Sequence, residues 1–301
     1  MRTIRASIAV AVLIQCLNSW AGITNSASYY DLGVNSAGGG KWDKAVTEFS
    51  EAIGLNPTNA LAFEYRGSCY FMQSELDKAI SDYDQALRLN SRDTGAIWGL
   101  AAVYRAKGQA DGSKDDIDRS IHYWNEYMQR NLTNDLAYKS RAADYNITGR
   151  YDEAIKDWSE GLRLNPKDST AVAMRGVAYF KTSQFDKAEH DYTEAVRLGP
   201  TNDVALNSLA WFRATCPVAS FRNGKEAVKA STKACELAKW TRWDWVDTLA
   251  AAFAEEGDFE RAVIYEKQAM RLDGVSENDR KNMQRCLSLY ERKQPNHEGQ
   301  K

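Results

Sequence analysis

The chain has 301 residues, and its 39 lysine and arginine side chains nearly balance its 41 aspartate and glutamate side chains. No basic stripe interrupts this balance, which argues against a nucleic-acid partner, because phosphate binding relies on clustered lysine and arginine. Only three histidines are present, and the sequence contains no HExxH motif, no Cys-x-x-Cys pair and no glycine-rich loop followed by Lys-Ser/Thr. We therefore expect no metal site, no cofactor and no enzymatic activity.

The first residues have the pattern of a secretory signal peptide. Arg2 and Arg5 precede an apolar run over residues 6–17, and residues 18–21 offer a cleavage site with small residues before the cut. A charged start, a short apolar segment and such a site are typical of exported proteins. We predict that residues 1–21 are a signal peptide and that the protein is exported, either to a periplasm or to the medium.

Two alternatives to cleavage stay open at this point. The segment could be an uncleaved anchor, although its apolar run is short for a membrane span. A lipoprotein acylated at Cys16 is the other alternative, but Gln15 stands where such signals carry a small residue. With the signal peptide removed, we expect no membrane span in the mature chain.

From Ser26 onward, one pattern recurs every 34 residues. It is clearest in four windows: Ser26–Asn59, Ala60–Asp93, Asp135–Asp168 and Ser169–Asn202. Position 8 of these windows is small: Gly33, Gly67, Ala142 and Gly176. Position 20 is always alanine: Ala45, Ala79, Ala154 and Ala188. Position 24 is always aromatic: Phe49, Tyr83, Trp158 and Tyr192. A fixed period of this length predicts stacked supersecondary units that share a core.

The pattern resembles the tetratricopeptide repeat, a helix–turn–helix unit of the same length. Small residues at positions 8 and 20 let the two helices approach closely, with the aromatic side chain of position 24 packed over them. Glycines near position 15 are expected to end the first helices: Gly40, Gly108, Gly149 and Gly257. Prolines after the second helices force the turn into the next unit: Pro57, Pro166 and Pro200.

Three further stretches fit the repeat with distortions: residues 94–134, 203–242 and 243–274. The segment LAWFRATCP is similar to a subgroup of bacterial tetratricopeptide proteins. The resemblance implies an all-α, right-handed superhelical solenoid of about seven helix–turn–helix units over residues 22–274. Residues 275–294 are predicted to form a C-terminal capping helix, and residues 295–301 a disordered tail.

One polar pair varies among the repeats of this chain. Position 7 is arginine in the same three repeats in which position 23 is aspartate: Arg66 with Asp82, Arg141 with Asp157, and Arg175 with Asp191. A buried or half-buried ion pair explains this coupling, because either charge alone would be uncompensated. We predict a structural role for these pairs. An array of ligand-binding arginines is the alternative.

The resemblance also implies a binding surface. In tetratricopeptide arrays, positions 2, 5, 9, 12 and 13 of each first helix line the concave face. These positions give Tyr30, Val34, Glu64, Ser68, Phe71, Met72, Trp98, Arg105, Lys139, Asn146, Ala173, Val177 and Phe180. Apolar anchors with a few charges suit an extended or helical peptide. Some of these aromatic side chains could instead pack between repeats.

The sequence thus predicts an exported interaction scaffold that binds a peptide or protein partner. The alternative is envelope glycan binding, or accessory work for an envelope enzyme complex, with Trp240, Trp243 and Trp245 as stacking platforms. A disulfide between Cys216 and Cys235 also stays open, since two small buried thiols would explain the same residues.

Overall fold

The computed structural model describes residues 25–298. The predicted signal peptide, residues 1–21, lies outside the described residues. Within them the structure has fifteen α-helices, no strand and one short 3₁₀ turn. The chain divides into two compact units, an N-terminal unit that ends at Leu132 and a C-terminal unit that begins at Thr133.

The N-terminal unit contains six described helices. They are α1 (Ser26–Gly38), α2 (Trp42–Leu55), α3 (Ala60–Met72), α4 (Leu76–Leu89), α5 (Thr94–Asp111) and α6 (Lys114–Met128). They pack as three helix pairs, α1 with α2, α3 with α4 and α5 with α6, and each pair also packs on the next. The unit is an all-α stack of repeats, as the period predicts.

The C-terminal unit contains nine described helices and continues the same arrangement. They are α7 (Asp135–Thr148), α8 (Tyr151–Leu164), α9 (Ser169–Lys181), α10 (Phe185–Leu198), α11 (Asp203–Thr215), α12 (Gly224–Leu237), α13 (Trp243–Glu256), α14 (Phe259–Ala269) and α15 (Glu277–Glu291). The first eight form four pairs, and α15 packs on α14. Met283, Cys286, Leu287 and Tyr290 of α15 are buried against the stack, as expected of a capping helix.

The core of each pair is built as the repeat pattern predicts. The position-20 alanines are fully buried, and the aromatic side chain of position 24 lies against position 8 of the facing helix. A Cβ atom at Gly33 would lie only 2.6 Å from Cε1 of Phe49. The small residue therefore sets the distance between the two helices, and a larger one would push them apart.

The residue at position 34 of a repeat caps the N-terminus of the first helix in the following repeat. Asn59, Asp93, Asp168 and Asn202 each accept hydrogen bonds at a side-chain oxygen from backbone N–H groups of the following first turn. Such N-caps satisfy donors that have no partner inside the helix. Each of these four repeats thus carries at position 34 the residue that caps the first helix of the following repeat.

The predicted end of α5 is wrong. Gly108 does not terminate this helix but lies buried inside it, and a Cβ there would lie 2.7 Å from Cδ1 of Ile117. The helix continues to Asp111 and ends at Gly112, which is left-handed with φ 67°. Gly108 is used for the close approach of α6, so its small size rather than its flexibility decides its place.

The insertion of the sixth repeat is packed. Residues Ala219–Phe221 form the 3₁₀ turn, and the ring of Phe221 lies 5.6 Å from that of Phe212. Cys216 and Cys235 are buried and unpaired, so no disulfide joins them. The insertion is therefore anchored by one aromatic side chain, that of Phe221, and not by a disulfide.

The C-terminal segment differs from the sequence expectation of a disordered tail. Residues 295–298 pack against the C-terminal unit, with Asn296 only 6% exposed. Residues 299–301 lie outside the described residues. The contacts that hold this segment form part of the candidate site.

Candidate functional site

The three arginine–aspartate pairs are present and tie the two helices of a repeat together. Arg66 donates from Nε and Nη2 to the two carboxylate oxygens of Asp82, at 2.7 and 2.8 Å. The other two pairs, Arg141 with Asp157 and Arg175 with Asp191, have the same two-bond geometry. The carboxylates are almost fully buried and the guanidinium groups mostly so.

These arginines also reach other neighbours. Nη1 of Arg66 donates to Ser50 Oγ of the preceding repeat at 2.9 Å, and its guanidinium lies 5.5 Å from the ring of Phe63. The carboxylate therefore uses two of the donor nitrogens, a serine uses the third, and an aromatic ring covers one side. Each guanidinium nitrogen of Arg66 therefore already has a partner within the fold, which favours the structural role over a ligand-binding array.

The sequence-predicted surface of the N-terminal unit begins with aromatic side chains that pack on one another. Tyr30 is half-buried, with its ring 5.8 Å from that of Phe49 and 5.6 Å from that of Tyr65. Burial, together with the neighbouring Tyr65, raises the pKa of Tyr30 to about 12. Val34 is half-buried in the same cluster. Both residues support the stack and present only part of their surface.

Glu64 serves the helix that follows. It occupies position 5 of the second repeat, beside Asp93, which caps α5. Burial and the Asp93 carboxylate raise the pKa of Glu64 to about 7. A protonated Glu64 can donate to the buried Oδ2 atom of Asp93, which no other described donor reaches. Gly95 leaves room for this carboxyl group, since a Cβ there would overlap it.

Lys139 also satisfies the aspartate that caps the following first helix, but with a positive charge. It occupies position 5 of the fourth repeat, and its Nζ lies 2.6 Å from Oδ2 of Asp168, the cap of α9. It also pairs with Asp135 at 2.8 Å. Position 5 therefore satisfies the cap of the next repeat in both units, by a carboxylic acid in one and by an ammonium group in the other.

Several predicted anchors are partly used for packing. Trp98 is half-buried and meets Trp124 edge-on, with ring centroids 4.6 Å apart. The Arg105 guanidinium lies 5.8 Å from the same Trp124 ring. Phe71 is half-buried, whereas Met72 is 57% exposed. Met72 is thus the most accessible predicted anchor of the N-terminal unit.

In the C-terminal unit, Phe180 is not a surface residue. It is 5% exposed and packs in the core against Phe185 and Phe212. Ala173 is also buried, and Val177 is half-buried. Asn146 is half-buried, with a long hydrogen bond of 3.5 Å from Nδ2 to the Met174 carbonyl. The fourth and fifth repeats therefore offer less of the predicted surface than the pattern implied.

Exposed apolar side chains recur at two positions of the first helices. Leu61 and Leu136 stand at position 2, and Met72 and Ile147 at position 13, each with 43% or more of its surface exposed. Met72 is among the binding residues predicted above, and the other three side chains occupy positions of the same predicted surface. The recurrence of these side chains at corresponding positions of both units makes the first helices the candidate contact surface, because a partner could bury them there.

The C-terminal unit has a cleft of about 390 Å³ beside residues 295–298. It is lined by Lys181, Trp211, Trp243, Asp247, Asp279, Asn282, Met283, Arg285 and Cys286, together with Asn296, His297 and Glu298. Lys181 is position 13 of the fifth repeat, and Trp211 is position 9 of the sixth. Lys181 and Trp211 therefore occupy positions of the predicted surface, and applying those positions to the fifth and sixth repeats would have identified them from the sequence.

Two carboxyl groups lie beneath the cleft. Glu266 is fully buried on α14 beside the half-buried Asp247 of α13. Burial, reinforced by the charge of Asp247, raises the pKa of Glu266 far above its usual range, and burial also raises that of Asp247. At neutral pH, Glu266 is therefore protonated and can donate to Asp247, so the pair carries at most one negative charge.

The three tryptophans of the glycan alternative are engaged in packing. Trp245 is 8% exposed and donates from Nε1 to Asp203 at 3.0 Å, with Arg242 stacked on its ring at 4.0 Å. Trp240 stacks on Tyr265, with ring centroids 6.1 Å apart. Trp243 is half-buried at the cleft. They do not form an open stacking platform.

No group of acidic, histidine and cysteine side chains suited to a metal ion occurs among residues 25–298. In the same range, no helix is long and apolar enough to cross a membrane. The repeated helix pairs, N-caps and shared core define a helical repeat protein.

Comparison with known families assigns the repeats. The model of the tetratricopeptide repeat family matches residues 30–94 and 148–203. The chain therefore contains tetratricopeptide repeats over these residues, and the helix pairs outside these segments share the arrangement. A search of curated proteins gave no match.

Solved structures show the same fold. A tetratricopeptide repeat protein from Parabacteroides merdae ATCC 43184 is 15% identical, with a TM-score of 0.64, and the match covers 88% of this chain and 98% of that one. YrrB, described as a TPR protein with an unusual peptide-binding site, is 17% identical, with a TM-score of 0.55 and coverage of 62% and 92%. MamA is 19% identical, with a TM-score of 0.53 and coverage of 60% and 94%.

Proposed function

We propose that this protein is an exported scaffold that binds a peptide or protein partner on its first-helix face, which within each unit is the surface formed by positions 2, 5, 9, 12 and 13 of the first helices. The observation that carries the proposal is the recurrence of exposed apolar side chains at positions 2 and 13. Leu61, Met72, Leu136 and Ile147 would lose this exposed surface to a partner, which is a favourable change.

Two further facts support a binding role. Tetratricopeptide repeat proteins are generally non-catalytic scaffolds, and the neighbour YrrB is described as having a peptide-binding site. The charged side chains of the face, such as Lys139, are already engaged within the fold. Apolar contact would therefore supply most of the affinity in the second to fourth repeats, and polar contact would orient the partner.

Partner capture from the native host tests the proposal. The paired substitution of Leu61 and Leu136 by serine is expected to reduce capture about tenfold, because two apolar anchors are lost. Leu55 and Ile264 are matched controls, since they are comparably exposed but lie on second helices. Their paired substitution by serine should leave capture unchanged. Equal losses in both double variants would contradict binding on the first-helix face.

Export is the second part of the proposal. It rests on Arg2, Arg5 and the apolar run over residues 6–17. N-terminal sequencing of the native protein should find a mature chain that begins near Gly22, in a fraction outside the cytoplasm. A cytoplasmic chain that retains Arg2 would contradict export, and a fatty acid on Cys16 would show a lipoprotein instead.

A further inference from the structure

Residues 295–298 run back across the first helices of the C-terminal unit. After α15 ends, Lys293 adopts a left-handed conformation with φ 59°. The amides of Lys293 and Gln294 donate to the carbonyls of Tyr290 and Leu289. This is a helix-ending turn that reverses the chain direction. After this turn, the chain from Pro295 onward runs towards the cleft.

Glu298 is bound through both its backbone and its side chain. Its amide donates to the carbonyl of Thr215 at 2.8 Å. Its carboxylate accepts hydrogen bonds from Lys181 Nζ at 2.9 Å and from Trp211 Nε1 at 2.9 Å. An ammonium group, an indole N–H and a backbone acceptor therefore converge on one acidic residue.

The two preceding residues are held by side chains of other helices. His297 Nε2 lies 2.7 Å from Oε2 of Glu255, whose other oxygen accepts from Arg222 at 2.9 Å. The Oδ1 atom of Asn296 accepts from Arg285 Nη2 at 3.2 Å. Residues 296–298 thus form hydrogen bonds or ion pairs with residues of α9, α11, α13 and α15.

The positions of these contacts repeat through the array. Lys181, Thr215 and Glu255 are position 13 of three consecutive repeats, and Trp211 is position 9 of the middle one. The segment therefore lies along the face on which the repeat family is expected to hold peptides. At position 13, the polar groups of these repeats replace the exposed apolar side chains found in the second and fourth repeats.

The segment is held in a way that permits release. None of its four residues is a large apolar side chain, and the contacts are hydrogen bonds and ion pairs. The rim pair, Lys181 and Glu298, retains 37% and 28% side-chain exposure. This rim pair is partly exposed and contributes little free energy, whereas the His297 and Glu255 side chains are only 11% and 15% exposed. A peptide with the same polar groups can replace both sets of contacts and so compete.

We propose that this cleft is a binding site for an extended peptide with an acidic side chain, and that residues 295–298 occupy it as an intramolecular competitor. The ligand would place a carboxylate between Lys181 and Trp211, donate a backbone N–H to Thr215, and set a histidine or a cationic side chain beside Glu255. This inference rests on the proposed peptide-binding function and adds the chemistry of the ligand and its regulation by the chain's own C-terminus.

The test uses a fluorescent, end-capped peptide of residues 294–299 as the probe. It is titrated into three full chains: the natural one, the double variant His297→Ala/Glu298→Ala, and the control Gln294→Ala, which changes an exposed side chain beside the segment. A tethered segment acts at a millimolar effective concentration. The double variant should therefore bind the probe at least about tenfold more tightly than the natural chain, and the control should match the natural chain.

Binding in the double variant should also depend on the cleft. Adding Trp211→Ala should weaken probe binding about tenfold, and a probe with Gln in place of Glu298 should bind more weakly than the original. Equal affinity of the natural chain and the double variant would overturn the inference. Failure of the double variant to bind the probe, with an unchanged melting temperature, would also overturn it. A natural chain that sediments as a dimer and becomes monomeric in the double variant would overturn the intramolecular placement.

Partner capture separates this inference from the proposed function. A host partner that is captured but not displaced by excess probe would leave the proposed function standing and overturn the inference. Probe binding to the double variant with no partner captured by any chain would overturn the proposed function alone. Displacement of a captured partner by the probe supports both.

Discussion

At the scale of single residues, position 5 shows that a residue on the predicted surface can be engaged inside the fold. Glu64 and Lys139 carry opposite charges, yet each satisfies the aspartate that caps the following first helix. The 34-residue alignment gives the position but not this contact, because the contact joins the first helix of one repeat to the cap of the next and exists only once the two repeats pack together. Trp98 and Phe180 were similarly assigned to the surface by position alone.

Glu64 makes the stability of the N-terminal unit depend on pH. Burial and Asp93 raise its pKa to about 7 in the folded chain, above the unfolded value near 4.3. The folded state therefore binds more protons, and stability falls as pH rises from about 4 through 7. Glu64→Gln should flatten this fall and stabilise the unit at pH 8 by about 1 kcal/mol after allowance for solvent screening.

Chemical denaturation between pH 5 and pH 8 measures this effect. Glu51→Gln is the control, since Glu51 is an exposed glutamate of the same unit. Parallel pH profiles of unfolding free energy for the natural chain and Glu64→Gln would contradict a protonated Glu64 that donates to Asp93.

The arginine–aspartate pairs should be costly to break. Asp157→Ala leaves the mostly buried Arg141 guanidinium without its carboxylate, and we expect a loss of about 3 kcal/mol in unfolding free energy. The exposed Asp152 lies on the same helix, and Asp152→Ala should cost less than about 1 kcal/mol. Urea denaturation distinguishes the two, and equal effects would show that the pair is not structural.

Trp98 is expected to act through stability. Its ring packs edge-on against Trp124 and Tyr127, so Trp98→Ala should destabilise the N-terminal unit by about 2 kcal/mol. Thermal unfolding followed by circular dichroism measures this change. An unchanged melting temperature with weaker partner capture would instead make Trp98 a contact residue.

At the scale of elements, local rules predicted the helix pairs well and the tail poorly. The helix pairs follow from the spacing of glycine, alanine and aromatic residues, all of which act within one repeat. The C-terminal segment is fixed by Lys181 and Trp211, which lie 117 and 87 residues away from Glu298. A short segment of proline and polar residues after a helix predicts disorder unless such distant partners are known, so this contact could not be predicted from the sequence.

The α5–α6 pair offers a test of close approach. Gly108→Ala would place a Cβ 2.7 Å from Ile117 and 2.9 Å from the backbone carbonyl of Ser113. We expect a loss of about 2 kcal/mol through overpacking. Gly38→Ala is the control, because no atom lies within 4 Å of the Cβ position there. A melting temperature for Gly108→Ala that equals or exceeds that of the control would contradict the account of this helix pair.

At the scale of the whole molecule, the repeat period predicted the fold class because the same pattern recurs in four regular repeats and, with distortions, in three more. Small positions, aromatic positions and caps recur together, so one atypical repeat does not change the fold that the other repeats predict. The repeat period did not predict two features of the structure. The division at Leu132 and Thr133 follows the irregular third repeat, and the insertion of the sixth repeat packs through Phe221.

The central claim is that partners bind the first-helix face, and site-specific photo-crosslinking in the native host tests it most directly. A photoreactive residue is placed at Leu61 or Leu136 on first helices, and at Leu55 or Ile264 on second helices, all of them exposed. The account predicts partner adducts from positions 61 and 136 and none from positions 55 and 264. Adducts mainly from positions 55 and 264, or none from any position, would contradict it.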